Sequence, residues 1–168
     1  ATAGYDVQLN DVNPDALEAA LGAIKKNMAR QLKSGKITKT DQIAALARIK
    51  RTPRIEDLGA CDLIIEAATE DEKIKQEIFD KLLPHLSQHT ILTSNTSSIS
   101  ISTIADATNR PDKVIGMHFM NPVPIMKLVE VINGNKTSTE TNATVIEASE
   151  KMGKIALSCN DSPGFVSN

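Results

Sequence analysis

The amino-acid sequence predicts an α/β domain built on a mostly parallel sheet with right-handed crossovers. Strand-type apolar runs alternate along the chain with amphipathic helical stretches. One run, at residues 61–68, is compactly apolar, which is typical of a strand buried on both faces of a parallel sheet. Polar residues follow several predicted strands, and ligands of such sheets bind beyond the carboxyl ends of the strands. A functional site is therefore expected at those ends.

Composition narrows the class of partner. The 168 residues suffice for one domain, and a formal net charge of −2 with 24% charged residues gives no reason to expect nucleic acid or an anionic membrane. Cys61 and Cys159 belong to no Cys/His cluster, so neither a disulfide framework nor a metal site is predicted. No apolar run approaches the ~18 residues of a transmembrane helix, and no signal pattern opens the chain. These features predict a cytoplasmic protein with a small-molecule partner.

The first elements carry clear start and stop signals. Gly4 fits the end of a helical turn, and a short strand is predicted over residues 6–10. Asn13 and Pro14 supply an N-cap and a first-position proline, and the helix that they open ends at Gly35. An amphipathic helix is predicted here, with an apolar stripe of Leu17, Leu21, Ile24, Met28 and Leu32.

Two further helices and a short strand follow. Thr40 and Asp41 can start the first of these helices, and residues 48–54 are a candidate for a short basic strand. After the apolar strand, Thr69 and Glu72 have capping-box spacing and open the second helix. The predicted apolar positions are Ile43, Leu46 and Ala47 in the first helix and Ile74, Ile78, Phe79 and Leu82 in the second.

The second half of the chain continues the alternation around a cluster of small polar residues. Residues 94–98 read Ser-Asn-Thr-Ser-Ser, and a helix cap needs only one such side chain. The remaining hydroxyls and the amide can therefore face a ligand. The elements predicted in this half are a strand at 90–94, a helix at 100–107, two strand-type runs within 114–132, a helix at 138–153 and a strand at 154–158.

Each strand-type run within 114–132 carries an ionisable side chain, His118 in the first and Glu130 in the second, and an Asn-Pro-Val-Pro turn joins the runs. His118 alone could be a neutral core histidine, and Glu130 could lie on a solvent-exposed face of its strand. A lone acid in an apolar run is costly to bury without a partner. Paired, Glu130 would accept the proton-bearing nitrogen of His118 and fix its tautomer, leaving the other nitrogen for acid/base chemistry. A catalytic dyad is therefore predicted.

Other polar features at predicted strand ends have ordinary alternatives. Asp11 stands where a dinucleotide-binding fold places its ribose acceptor, yet its Asn-Asp-Val-Asn-Pro context taken alone favours a turn aspartate. The segment 67–70 also follows a strand. Its Glu70, together with Lys75, can equally be read as solvated charges on the first turns of a helix.

Four motifs are distinctive in their order and spacing. They are Ser-Asn-Thr-Ser-Ser at 94–98, Gly-Met-His-Phe-Met-Asn-Pro-Val-Pro at 116–124, Lys-Leu-Val-Glu-Val at 127–131 and Ser-Pro-Gly-Phe-Val-Ser-Asn at 162–168. Together they resemble the amino-terminal domain of the 3-hydroxyacyl-CoA dehydrogenases, with the 3-hydroxybutyryl-CoA dehydrogenases as the nearest branch. The resemblance implies a Rossmann-like sheet with helices on both faces. It also implies NAD-dependent oxidation of a (3S)-3-hydroxyacyl-CoA, or the reverse reduction, in fatty acid β-oxidation or butanoate metabolism.

The resemblance assigns roles to individual positions. His118 matches the catalytic acid/base and Glu130 its orienting partner, while Ser97 and Asn168 match residues that bind the reacting C3 oxygen of the acyl-CoA substrate. The predicted NAD-binding positions are Asp11, Ala67, Glu70, Lys75, Asn95, Ser97 and Asn121. The predicted substrate-binding positions are Ser97 and Asn168, together with Asn27 and Lys33, which fall near positions that touch the CoA moiety.

The sequence departs from the family pattern at both ends. Family members begin with a strand and a Gly-x-Gly-x-x-Gly turn that holds the pyrophosphate, and no such glycine spacing exists here. They also continue beyond the position of Asn168 into a helical domain. We therefore expect residues 1–168 to be an incomplete NAD-binding domain that lacks its first strand, and that is weakly stable and inactive in isolation. The full-length protein is expected to be a homodimer formed through the helical domain.

Two other function classes remain open at this point. One is a non-catalytic relative that keeps the fold as a structural or crystallin-like protein; the intact set of Ser97, His118, Glu130 and Asn168 argues against it. The other is a β-hydroxyacid dehydrogenase that acts on a free acid. That branch typically relies on a catalytic lysine, which the motifs here do not resemble.

Overall fold

The computed structural model describes residues 1–166, which form two compact units, Ala1–Leu58 and the part of the chain from Gly59 onward. Each unit has its own sheet. The extent of the predicted domain, residues 1–168, stays a prediction. Within the described range no helix combines the length and the apolar character that a membrane span requires.

The first unit contains a pair of parallel strands and two helices. Its elements in chain order are β1 (Val7–Leu9), α1 (Pro14–Lys33), α2 (Lys39–Ala47) and β2 (Ile49–Arg51), with β1 and β2 paired in parallel. The predicted start of α1 is confirmed, because the Asn13 side chain accepts the Asp15 amide at 2.9 Å. Every position of its predicted apolar stripe is buried or half-buried.

The start of α2 differs from the prediction. Thr38 is the N-cap: its hydroxyl accepts the Asp41 amide at 3.1 Å, and the Asp41 carboxylate accepts the Thr38 amide at 2.9 Å. This reciprocal pair is a complete capping box, which explains why the helix begins earlier than Thr40. The buried face of α2 also differs from the prediction. Gln42 and Ala45 are buried, whereas the predicted apolar positions Ile43 and Ala47 are exposed.

The second unit is a five-stranded sheet flanked by helices. Its elements are β3 (Leu63–Glu66), α3 (Glu72–Leu82), β4 (Ile91–Ser94), α4 (Ile101–Asp106), β5 (Val114–Phe119), β6 (Leu128–Asn133), α5 (Thr139–Lys151) and β7 (Ile155–Asn160). The strand order is β3-β4-β5-β6-β7, and all neighbours are parallel except the antiparallel pair β5 and β6. The prediction of a mostly parallel sheet is confirmed.

The two faces of this sheet carry different side chains. One face holds an apolar cluster, in which Ile115 and Met117 of β5 and Val129 and Val131 of β6 pack with Val145 of α5. This cluster packs β5 and β6 against α5.

The opposite face is covered by α4. A Cβ atom at Gly116 would lie 2.8 Å from Ile132 and 3.0 Å from Ile101 of α4, so only glycine permits this close approach. The predicted arrangement of helices on both faces is therefore confirmed. Strand register places Glu66 beside Ser94 and Ser94 beside Gly116 on this same face.

The strand β3 is less buried than predicted. Ile64 and Glu66 are buried, but Ile65 is 41% exposed, so the prediction of burial on both faces is wrong. β3 is the first strand in the order of its sheet, and within the described residues it pairs on one side only, with β4.

The predicted capping box of Thr69 and Glu72 at the start of α3 is also wrong. The N-cap is Asp71, whose carboxylate accepts the Ile74 amide at 3.1 Å. An ionised side chain at this position is a strong acceptor for the free amides of a first turn. In this helix Lys75 is buried, and Ile74 is 40% exposed.

Candidate active site

His118 and Glu130 lie directly opposite each other on the antiparallel strands β5 and β6. Opposite residues of such a pair project from the same face, so the hairpin register alone brings the two side chains together. His118 Nδ1 is 2.8 Å from Glu130 Oε2, and the side chains are 9% and 0% exposed. The other carboxylate oxygen, Oε1, accepts the Val166 amide at 3.1 Å. The buried acid is therefore hydrogen-bonded through both of its oxygens.

The second ring nitrogen of His118 meets Ser97. The Ser97 hydroxyl lies 3.2 Å from Nε2, and Ser97 itself is exposed just beyond the carboxyl end of β4. With Glu130 ionised, Nδ1 carries the proton and donates to it, so Nε2 is the nitrogen that accepts. This nitrogen is thus directed to the side where a ligand of the sheet binds.

Glu70 holds the loop that carries Ser97. Its Oε1 accepts four hydrogen bonds, from the Thr96 hydroxyl at 2.5 Å, the Ser97 amide at 2.9 Å, and the Ser98 amide and hydroxyl at 3.1 Å each. Burial raises the pKa of Glu70, but these hydrogen bonds and the charge of Lys75 outweigh it and leave the pKa below its ordinary value. Glu70 is therefore an ionised anchor for the loop.

A second buried acid, Glu66, lies at the end of β3. Both of its oxygens are 2.9 Å from Lys75 Nζ, and the two side chains are 2% and 1% exposed. Glu66 also accepts the Ala68 amide and the Ser94 hydroxyl, each at 2.6 Å. The sequence analysis placed Lys75 among the NAD-binding positions, with a solvated charge as the alternative, and did not single out Glu66. The available signal was a lone acid at the end of an apolar run, the same signal that identified Glu130.

The segment after β7, which contains one of the four motifs, reaches the dyad through Asp161 and Phe165, two residues to which the sequence analysis assigned no role. Asp161 accepts the Ser100 hydroxyl at 2.7 Å and the amides of Ile101 and Ser102 at 3.1 and 2.8 Å. Burial raises the pKa of Asp161, but these hydrogen bonds prevail and lower it from the ordinary value. The Phe165 ring then lies edge-on to His118 with centroids 6.1 Å apart. Asp161 thus ties this segment to the start of α4.

The remaining predicted positions lie in different surroundings. Asn95 accepts the Phe119 amide at 2.8 Å and so joins the ends of β4 and β5, while Ala67 and Asn121 are exposed. Asn168 lies outside the described residues. In the first unit, Asp11 is exposed and accepts the Asn13 amide at 2.8 Å, the contact expected of a turn aspartate. On α1, Asn27 is half-buried and Lys33 is exposed.

The groups at the carboxyl ends of β3, β4 and β5 suit a dinucleotide better than a metal. Hydroxyl, amide and backbone groups are exposed at Ala67, Ser97, Ser98 and Asn121, and such groups hydrogen-bond ribose and amide functions. Among residues 1–166, no three His, Cys, Asp or Glu side chains are grouped so that they could hold a metal ion. The arrangement offers one acid/base nitrogen and one hydroxyl beside it, with neutral polar groups and the Glu70 carboxylate nearby.

Comparison with known proteins gives consistent results. The profile of a family described as "3-hydroxyacyl-CoA dehydrogenase, NAD binding domain" matches residues 1–162. A protein of Bacillus subtilis named probable 3-hydroxybutyryl-CoA dehydrogenase is 51% identical over 168 residues, and a 3-hydroxybutyryl-CoA dehydrogenase of Clostridioides difficile is 47% identical over 169. Both alignments cover all of this chain but only 58% and 60% of those relatives. The crystal structure of (S)-3-hydroxybutyryl-CoA dehydrogenase from Ralstonia eutropha has a TM-score of 0.96 and 41% identity, over 99% of this chain and 59% of that one.

Proposed function

The chain belongs to the family of 3-hydroxyacyl-CoA dehydrogenase NAD-binding domains, and from this membership we propose that its full-length protein interconverts (3S)-3-hydroxyacyl-CoA and 3-ketoacyl-CoA with NAD. The observation that carries the proposal is the placement of His118 between Glu130 and Ser97. One ring nitrogen is fixed by a buried carboxylate, and the other faces a hydroxyl at the ligand-binding edge of the sheet. This is the geometry that proton transfer to or from a substrate oxygen requires.

The chain's own residues would divide the chemistry as follows. In the oxidation direction, Nε2 of His118 accepts the proton of the C3 hydroxyl, and Glu130 stabilises the resulting imidazolium through Nδ1. Ser97 positions the C3 oxygen beside Nε2, with Asn168 as its proposed partner. When bound, NAD supplies the acceptor of the C3 hydride in this direction and the donor in the reverse direction. In reduction, the same nitrogen returns a proton to the C3 oxygen.

The other predicted positions complete the proposal. The NAD-binding set remains Asp11, Ala67, Glu70, Lys75, Asn95, Ser97 and Asn121, and the CoA contacts remain Asn27 and Lys33. Exposure of Ala67, Ser97 and Asn121 supports their part in this set. Lys75 and Asn95 hydrogen-bond to other residues of the protein, so their proposed contribution to NAD binding is indirect. The homodimer and the cytoplasmic location stay predictions.

The experiment is a reductase assay on the full-length gene product. Acetoacetyl-CoA and NADH are mixed with the enzyme, and loss of NADH absorbance is followed, with free acetoacetate and with NADPH as parallel reactions. We expect rapid turnover with acetoacetyl-CoA and NADH, and little with the free acid. Turnover of free acetoacetate at the same rate would favour a free-acid dehydrogenase, and no turnover with any substrate would favour a non-catalytic relative.

A further inference from the structure

The buried ion pair of Glu66 and Lys75 has no role in the proton transfer described above. Glu66 ends β3 on the same face of the sheet as Ser94 and Gly116, and its two oxygens accept from the Lys75 ammonium, the Ser94 hydroxyl and the Ala68 amide. Both oxygens of the Glu66 carboxylate therefore accept hydrogen bonds from inside the protein. Such a fully satisfied site holds its members in one geometry.

Stability alone does not account for this pair. Removing two charges from water is costly, and well-packed apolar side chains of similar volume are often at least as stabilising. A lysine on the first turns of a helix can also extend its long side chain into solvent, so the position of Lys75 in the helix does not by itself require burial. A buried pair in this position is better explained by what it holds in place.

A continuous series of contacts leads from this pair to the dyad. Lys75 Nζ is 3.6 Å from Glu70 Oε2 as well as 2.9 Å from Glu66. The other oxygen of Glu70, Oε1, accepts the Ser97 amide at 2.9 Å. Ser97 in turn places its hydroxyl 3.2 Å from Nε2 of His118. Glu66 fixes Lys75, Lys75 holds one oxygen of Glu70, and the other oxygen is left to fix the loop of Ser97.

We propose that Glu66 is a positioning residue that sets the distance between Ser97 and His118 through Lys75 and Glu70. The inference rests on the proposed dehydrogenase function and adds to it a residue that need not touch substrate or cofactor. Without the charge of Glu66, Lys75 is free to move toward Glu70 and to displace the carboxylate that carries the loop. The Ser97 hydroxyl then loses its alignment with Nε2, and proton transfer slows.

The test is a double-mutant cycle in the full-length enzyme, with kcat for acetoacetyl-CoA reduction as the readout. Glu66→Gln preserves size and removes the charge, and it is measured alone and together with Ser97→Ala. We expect Glu66→Gln to lower kcat about tenfold in the wild-type background but less than about twofold in the Ser97→Ala background. The effect of Glu66→Gln on kcat is smaller in that background because the Ser97 hydroxyl, whose position the substitution disturbs, is already absent. Glu77→Gln, on the exposed side of α3, is the matched control and is expected to keep the kcat of its background.

Other outcomes overturn the inference. An unchanged kcat in Glu66→Gln, or an equal loss in both backgrounds, shows that Glu66 acts only through general stability. If Glu66→Gln does not fold, Glu66→Gln with Lys75→Gln leaves no uncompensated charge, and the same cycle and the same criteria apply to it. Failure of the proposed function is a separate result, because the wild-type enzyme would then show no NADH-dependent turnover at all.

Discussion

Glu66 and Glu130 are buried carboxylates on the same sheet, and each meets one basic side chain, yet their surroundings differ. Glu130 lies in the middle of β6 and is held by its hairpin partner His118, whose second nitrogen faces the ligand-binding edge. Glu66 lies at the end of β3 and is held by Lys75 from a helix, with all contacts inside the protein.

The difference shows that a buried acid can either support proton transfer or hold neighbouring groups in position. A histidine can gain and lose a proton near neutral pH, so a carboxylate that fixes its tautomer produces a working acid/base. A lysine held by a buried carboxylate instead keeps the groups around it in fixed positions. We therefore expect changes at the Glu130 pair to reduce turnover directly, and changes at the Glu66 pair to reduce stability and to disturb the position of Ser97.

His118→Gln is expected to have the largest effect. Without an acid/base at this position, kcat of the full-length enzyme should fall by about 10²–10⁴-fold, while NADH binding stays near normal. Steady-state kinetics and NADH titration separate the two quantities. His89→Gln is the matched control, because His89 is exposed and its Nε2 lies 3.0 Å from the carboxylate of the exposed Asp62. An unchanged kcat in His118→Gln would remove the dyad from the mechanism.

Lys75→Met should produce the largest loss of stability. It leaves Glu66 buried without its counter-charge, and breaking a buried ion pair in this way costs about 3–5 kcal/mol of unfolding free energy. Urea unfolding of the full-length protein measures the loss. The double variant Glu66→Gln with Lys75→Met should recover much of it, because no uncompensated charge remains. Equal losses in the single and double variants would show that the two side chains are not coupled.

Glu130→Gln should lower turnover by less than the loss of the histidine itself. In the wild type His118 and Val166 face different oxygens of Glu130, and in Gln one of these two positions becomes an NH2 donor. When the NH2 group faces His118, it donates to Nδ1, and the His118 proton must then lie on Nε2. That tautomer cannot accept a proton from the C3 hydroxyl, and we expect kcat for oxidation to fall about 10²-fold. Nitrogen NMR of the imidazole reads the tautomer directly. Wild-type kinetics with an altered tautomer would contradict the assigned role of Nε2.

The sequence predicted one of these two pairs because of the elements that supply the partners, and not because of separation along the chain: nine residues separate Glu66 from Lys75, and twelve separate His118 from Glu130. His118 and Glu130 lie on two consecutive strands that pair with each other, so an ionisable residue in each of two strand-type runs was enough to indicate the pair. Lys75 reaches Glu66 from α3, whose N-cap is Asp71, whereas the prediction placed the N-cap at Thr69, two residues earlier. Because helical periodicity is read from apolar side chains, it gave no sign that Lys75 is buried against Glu66.

The same reasoning explains the rest of the fold. Long elements with strong local signals, such as α1 with Asn13 and Pro14, were predicted correctly. The start and the buried face of α2 were predicted wrongly, because a helix of nine residues has too few turns for its apolar positions to define a face. Contacts between distant segments, such as Asp161 with the start of α4, leave no periodic trace in the sequence. The outcome for Asn168 lies beyond the described residues.

Asp161 offers the mildest test, because it is a partly exposed acid that joins the segment of Phe165 to α4. Its pKa is lowered in the folded state, so its stabilising contribution is present above the ordinary value of 3.8 and is lost as pH falls through the folded pKa. Asp161→Asn keeps an acceptor oxygen but removes the charge near the start of α4, and it should cost about 0.3–1 kcal/mol at neutral pH. Unfolding curves of wild type and variant should converge below that pH. A stability gap that persists in acid would show that the Asp161 charge does not hold the segment, and that only the Glu130 and Glu66 pairs organise this face of the sheet.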